Sequence, residues 1–185
     1  MNARVVPATP PFPAAIQARL DRLMPEGIAP LRLFTTLARD ARLFERFMSG
    51  GLLDRGHLTL RQRELIIDRV TAQNGAEYEW GVHVALFAER VGFDSAQLYS
   101  LAHGSAADTC WSADERTLLE LCDALQTTSD IDDALWKVLA ELLSAEAIIE
   151  AIMLAGLYRM VSYLTRALRL PNEAFARRFP EYVGA

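Results

Sequence analysis

Residues 64–83 read ELIIDRVTAQNGAEYEWGVH, and this stretch decides the fold. Leu65, Ile66 and Val70 form the apolar stripe of one helix, which Asn74-Gly75 stops because both residue types tolerate positive φ. A second run starts near Ala76 and continues to about Arg90. Trp80, Val84, Phe87 and Val91 recur there at three- and four-residue steps. Two amphipathic runs around one tight break predict an antiparallel helical hairpin. Glu64 lies on its first arm. Tyr78, Glu79, Trp80 and His83 crowd the first two turns of its second arm. Nowhere else in the chain is so much proton-handling chemistry gathered.

The flanking segments read as helices too. Residues 14–24 place Ile16, Leu20 and Leu23 on one face, with Pro25 and Gly27 as the stop. Pro30 suits the first turn of the next helix, striped by Leu31, Phe34 and Leu37. Asp40 is placed to cap residues 41–49 ahead of Gly50-Gly51, and Thr59 to cap the helix that carries Glu64. After Gly92, Asp94 caps a short helix through Leu101, and a loop opens at His103-Gly104-Ser105. Ser112 and Glu115 have capping-box spacing. Asp130 or Asp132 begins a helix through Leu143. Ser144 caps the last one, 145–169, which Pro171 closes. No segment alternates with period two. The expectation is an all-α bundle of about eight helices: a proline-rich arm over 1–13 and one domain over 14–185.

At 185 residues and 51% hydrophobic content, the chain is long enough for one real core. The net charge of −5 is scattered, which argues against nucleic acid as a partner. Cys110 and Cys122 are too few for a secreted disulfide framework. Residues 1–13 lack the apolar run of a signal peptide, and the apolar stretch Ala151–Tyr158 is too short to span a membrane. A cytoplasmic protein that engages neither membrane nor nucleic acid is expected.

The central stretch resembles the carboxymuconolactone decarboxylase family, which includes the alkylhydroperoxidase D (AhpD) proteins. Their redox-active members carry a template E-x11-C-x2-C-x3-H. It falls without a gap on Glu64, Ala76, Glu79 and His83. The close match covers about residues 55–100. The resemblance implies an AhpD-like helical subunit that assembles as a dimer, trimer or hexamer. It also implies peroxide reduction by a cysteine pair, but both sulfurs are missing here, since Ala76 is no nucleophile and Glu79 forms no disulfide. Cys122 sits on the Leu118/Leu121/Leu125 stripe and reads as a buried structural thiol. Cys110 lies in a loop with no basic neighbour in sequence.

What remains is an acid/base set. His83 exchanges a proton near neutral pH, Glu79 stands one turn before it, and Glu64 is placed to orient the ring from across the hairpin. Tyr78 offers a hydrogen-bond donor to a substrate and Trp80 an apolar wall. Decarboxylation, or related lyase and isomerase chemistry, on a small organic acid without a cofactor is the first expectation. Peroxide reduction is the second, and a non-catalytic binding or assembly role the third. The plainer reading of the pair is two buried polar groups satisfying each other. A carboxylate–histidine metal site at Glu64, Glu79 and His83 is a further alternative, though its spacing is common. For assembly, Ile148, Ile152, Leu154, Leu157 and Val161, together with the proline-rich arm, are expected to meet a second subunit.

Overall fold

The structure, a computed structural model, describes residues 3–24, 27–52 and 54–182. Among them are nine helices and no strand: α1 (Ala14–Leu23), α2 (Arg32–Leu37), α3 (Ala41–Ser49), α4 (Leu60–Gln73), α5 (Glu77–Val91), α6 (Ser95–His103), α7 (Ala113–Thr127), α8 (Asp133–Leu142) and α9 (Ala145–Ala167). Pro25 lies outside the described residues. Of the two candidates before α8, Asp132 is the cap.

The side-chain caps fall where the sequence places them. Asp40, Thr59, Asp94, Ser112 and Ser144 each accept a hydrogen bond from the first turn of their helix. At Thr59, Asp94 and Ser112 the reciprocal capping box is complete. Each such cap satisfies amide donors that the helix cannot, and contributes about 1 kcal/mol.

α4 is the axis of the bundle. Residues 64–71 are all buried, because α5, α6, α7 and α9 surround it. The α4–α5 turn needs a left-handed residue, and Gly75 supplies it at φ +61°. Arg69, buried on α4, pairs with Asp123 of α7 at 2.8 and 3.1 Å and donates to the carbonyls of Ser100, Leu101 and Gly104 at the end of α6. One guanidinium thus ties three helices together. A smaller apolar cluster (Ile16, Leu20, Ala38, Phe44) joins α1 to α3, apart from the main core.

α2 starts at Arg32, two residues beyond the expected Pro30, because its first amides are claimed from a distance. Leu31 gives no side-chain cap. Instead the Glu173 carboxylate accepts from the Arg32 amide at 2.6 Å, and the Tyr78 hydroxyl accepts from the Leu33 amide at 3.1 Å. Residues 172–180 lie along α5. The Arg177 amide donates to the Gly81 carbonyl at 2.9 Å, so close that a Cβ at Gly81 would collide with the Arg177 backbone. The N-terminal arm packs on its own subunit, through Arg4 on the end of α9 and Ala8 on α2.

The assembly expectation needs correcting at α9. Ile148, Leu154 and Val161 are buried in the subunit's own core, and Ile152 and Leu157 pack against it. The subunit's own core claims these residues, and Leu157 and Val161 also line the cavity described below. The apolar surface left exposed is a different stripe.

Candidate active site

Glu64 and His83 face each other across the α4–α5 hairpin, because the Asn74-Gly75 turn sets the two helices side by side. Glu64 Oε2 is 2.7 Å from His83 Nδ1, and neither side chain is open to solvent. Glu79, one turn before His83, places Oε1 3.5 Å from Nε2. The other partner of Nε2 is Tyr158 on α9, whose hydroxyl is 3.0 Å away with its ring edge-on to the imidazole. Asp68, one turn beyond Glu64, is also buried. Asp68 Oδ1 and Glu79 Oε2 have no hydrogen-bond partner.

The electrostatics follow from this crowding. Burial by itself pulls His83 down. The charges of Glu64 and Glu79, with their hydrogen bonds, outweigh it and raise the ring to about 10. His83 is therefore an imidazolium near neutral pH. Nδ1–H donates to Glu64, and Nε2–H points to the Tyr158 oxygen with Glu79 close by. Burial, and then Glu79 and Glu64, hold the Tyr158 phenol well above its ordinary value, so its own proton stays on. Burial pushes the Asp68 carboxyl well above the usual range, reinforced by Glu64 and Glu79 and opposed by His83.

The centre opens onto a cavity of about 140 Å³. Glu79, His83 and Tyr158 are the polar side chains of its wall. The rest is apolar, with Leu33 and Phe34 from α2, Met48 from α3, Phe87 from α5, and Leu157 and Val161 from α9. Among the described residues no arginine or lysine lines it.

Tyr78 and Trp80, expected as substrate contacts, are not part of this wall. The Tyr78 hydroxyl donates to Glu173 at 2.6 Å and borders a separate cleft with Arg166, Asn172 and Arg178. Trp80 is buried against Phe179, with ring centroids 5.0 Å apart. At 100° per residue, Tyr78 lies about 140° round α5 from His83, and Trp80 about 60° round on the side where residues 172–180 lie. Glu79, about 40° away, does reach the site. Tyr158 carries no local signal: it is one apolar-face residue of α9, and only tertiary packing brings it to His83.

Among the described residues no group of three or more His, Cys, Asp and Glu side chains is arranged to hold a metal ion. Neither cysteine lines the cavity. Burial pushes the Cys122 thiol up to about 12, and it also raises Cys110. His103, remote from this cavity, places Nε2 2.7 Å from the Pro180 carbonyl oxygen.

Residues 41–123 match the carboxymuconolactone decarboxylase family. No curated protein matches the chain. Two peroxidase-related proteins share its fold. The one from Silicibacter sp. TM1040 superposes with a TM-score of 0.79 at 17% identity, over 91% of this chain and 90% of its own. The one from Ralstonia eutropha JMP134, an alkylhydroperoxidase AhpD core, also gives 0.79 at 17% identity, over 91% and 93%. The debrominase Bmp8 gives 0.77 at 17% identity, over 95% of each chain. The family match thus runs across α3 to α7, within an all-helical fold that the chain shares with these AhpD-like structures.

Proposed function

We propose that the chain is a thiol-independent proton-transfer enzyme, of isomerase or lyase type, acting on a small, uncharged, largely apolar molecule. The observation that carries this reading is Glu79 Oε2. It is a buried carboxylate oxygen with no partner, on a residue that lines an apolar cavity beside an imidazolium–phenol pair. An unpartnered carboxylate oxygen facing an apolar cavity is free to accept a proton from a bound molecule. Glu79 takes a proton from a substrate C–H bond. The electron pair moves toward a carbonyl-like oxygen held by the Tyr158 hydroxyl, with His83 behind it as the proton source. Return of the proton to another carbon completes an isomerisation, and loss of a leaving group completes an elimination. Glu64 touches no substrate in this scheme. It fixes the ring and keeps it charged.

Two features set the substrate class. A cavity of about 140 Å³ matches a single six-membered ring. A substrate carboxylate would face Glu79, while the cation of the wall, the His83 imidazolium, is already paired with Glu64, and among the described residues no arginine or lysine lines the cavity to hold it. The organic acid expected from the sequence is therefore disfavoured, and decarboxylation with it. Peroxide reduction is disfavoured because no thiol reaches the cavity.

The test is solvent-deuterium exchange into uncharged cyclic ketones, followed by NMR, beside the matching carboxylic acids. Exchange into a ketone that Glu79→Gln loses, with the variant still folded, is the expected result. Turnover confined to the acids, or exchange untouched by Glu79→Gln, overturns the reading.

A further inference from the structure

α9 carries an exposed apolar stripe that the subunit leaves unused. Ile149, Met153, Met160 and Tyr163 are 58%, 55%, 42% and 56% exposed, and Gly156 lies exposed between them. Their steps of four, three, four and three residues keep them in one line along the helix. No charged side chain interrupts that line. α9 is also long and apolar enough to cross a membrane, but 44% of its apolar window is buried in the bundle. This stripe is the apolar face that α9 leaves exposed, with the Tyr163 hydroxyl accepting from Arg159 at 2.8 Å.

The stripe is close to symmetric about Gly156. Met153 stands three residues before it and Met160 four after; Ile149 stands seven before and Tyr163 seven after. Exposed Glu146 lies ten before and exposed Arg166 ten after. A sequence of this kind complements itself when reversed. We infer that α9 is the contact helix of a two-fold dimer, crossing α9 of a second copy antiparallel at Gly156.

Three features support that occupant. Two crossing helices approach most closely at the symmetry axis, and the residue there has no side chain; a Cβ at Gly156 would meet nothing within 4 Å in its own subunit. The antiparallel sense sets Met153 against Met160, Ile149 against Tyr163, and Glu146 against Arg166 of opposite charge. A parallel pair would set Glu146 against its own copy, with like charges together. Finally, Ile149 and Met153 border a cleft of about 310 Å³ that also includes Leu52 and His57. Tyr163 of the second copy projects toward that cleft. Leu52 follows Gly51, which lines the candidate active site, so the contact reaches the segment leading out of the cavity wall.

Site-directed cross-linking tests this on the Cys110→Ser chain. Gly156→Cys should seal a covalent dimer under mild oxidation. Met153→Cys mixed with Met160→Cys should give the mixed dimer, a readout that survives if Gly156→Cys itself disturbs the contact. Met153→Glu, at an exposed position, should keep its circular dichroism. It should weaken self-association in sedimentation on the order of a hundredfold or more, since an unpaired charge would be buried. Three results would each overturn the inference: a wild-type chain that sediments as a monomer at micromolar concentration, Met153→Cys cross-linking to itself in preference to Met160→Cys, or self-association indifferent to Met153→Glu. A monomer that binds phosphatidylcholine vesicles, and loses them on Met153→Glu, would assign the stripe to a bilayer instead.

Discussion

Replacing Glu64 by Gln tests whether the buried centre is an ion pair. The substitution keeps the side chain's length and leaves an oxygen to accept from His83 Nδ1, where the structure has 2.7 Å. It removes only the charge. Two unit charges about 4 Å apart at an effective dielectric constant of about 20 interact by about 4 kcal/mol, or about 3 pKa units. His83, raised to about 10, should therefore fall to near neutrality in the variant. The stability change carries a definite sign. A group whose folded value is raised adds stability that is complete below its unfolded value, about 6.5 for imidazole. That stability fades as pH rises through about 10. Glu64→Gln should thus cost about 4 kcal/mol at pH 6, within the range for breaking a buried pair, and progressively less toward pH 10. Urea denaturation at pH 6, 8 and 10 reads the gap, and NMR of the His83 ring reads the titration. A wild-type ring titrating at its ordinary value, or a gap that does not shrink at alkaline pH, would refute the reasoning.

Three shorter predictions accompany it. Tyr158→Phe removes the 3.0 Å hydrogen bond to His83. It should lower turnover about a hundredfold or more while costing stability only about 1–2 kcal/mol; a folded, fully active variant would release Tyr158 from the scheme. Gly81→Ala puts a methyl group where the Arg177 backbone lies. Trypsin should then cut at Arg177 and Arg178 faster than in wild type, with the helical signal retained, and an unchanged cleavage rate would count against the contact. The double variant Cys110→Ser, Cys122→Ser should reduce peroxide with a dithiol no more slowly than wild type, because burial holds both thiols up and neither reaches the cavity. Activity lost in that variant would return the chemistry to sulfur.

The hairpin was legible because its signals are local. Asn74-Gly75 breaks two periodic runs, and the fixed 19-residue offset between Glu64 and His83 spans one turn of known type. The caps were legible for the same reason, since each lies within three residues of the amide it satisfies. Tyr158 was not, because it comes 75 residues after His83 and looks like any other core position of α9. Tyr78 and Trp80 misled because closeness in sequence was read as closeness in space. Which side of α9 the bundle buries is not legible for a related reason: the helix is apolar nearly all round, so composition alone cannot tell which side the core claims.

The way α2 is held has a consequence for the order in which the protein becomes competent. At six residues, α2 is too short to persist alone. Its opening amides wait for Glu173, 141 positions later in synthesis, and for the Tyr78 hydroxyl that Glu173 also engages. Leu33 and Phe34 of this helix form one side of the cavity. A nascent chain can therefore bring Glu64, His83 and Tyr158 together once α9 has folded, yet hold them in a vessel with one side open to water. The α2 side of the cavity beside Glu79 closes only when Glu173 has engaged the Arg32 amide. On the activity proposed above, a ribosome-bound chain stalled shortly after α9 should be helical and inert, and one extended past residues 172–180 should be active.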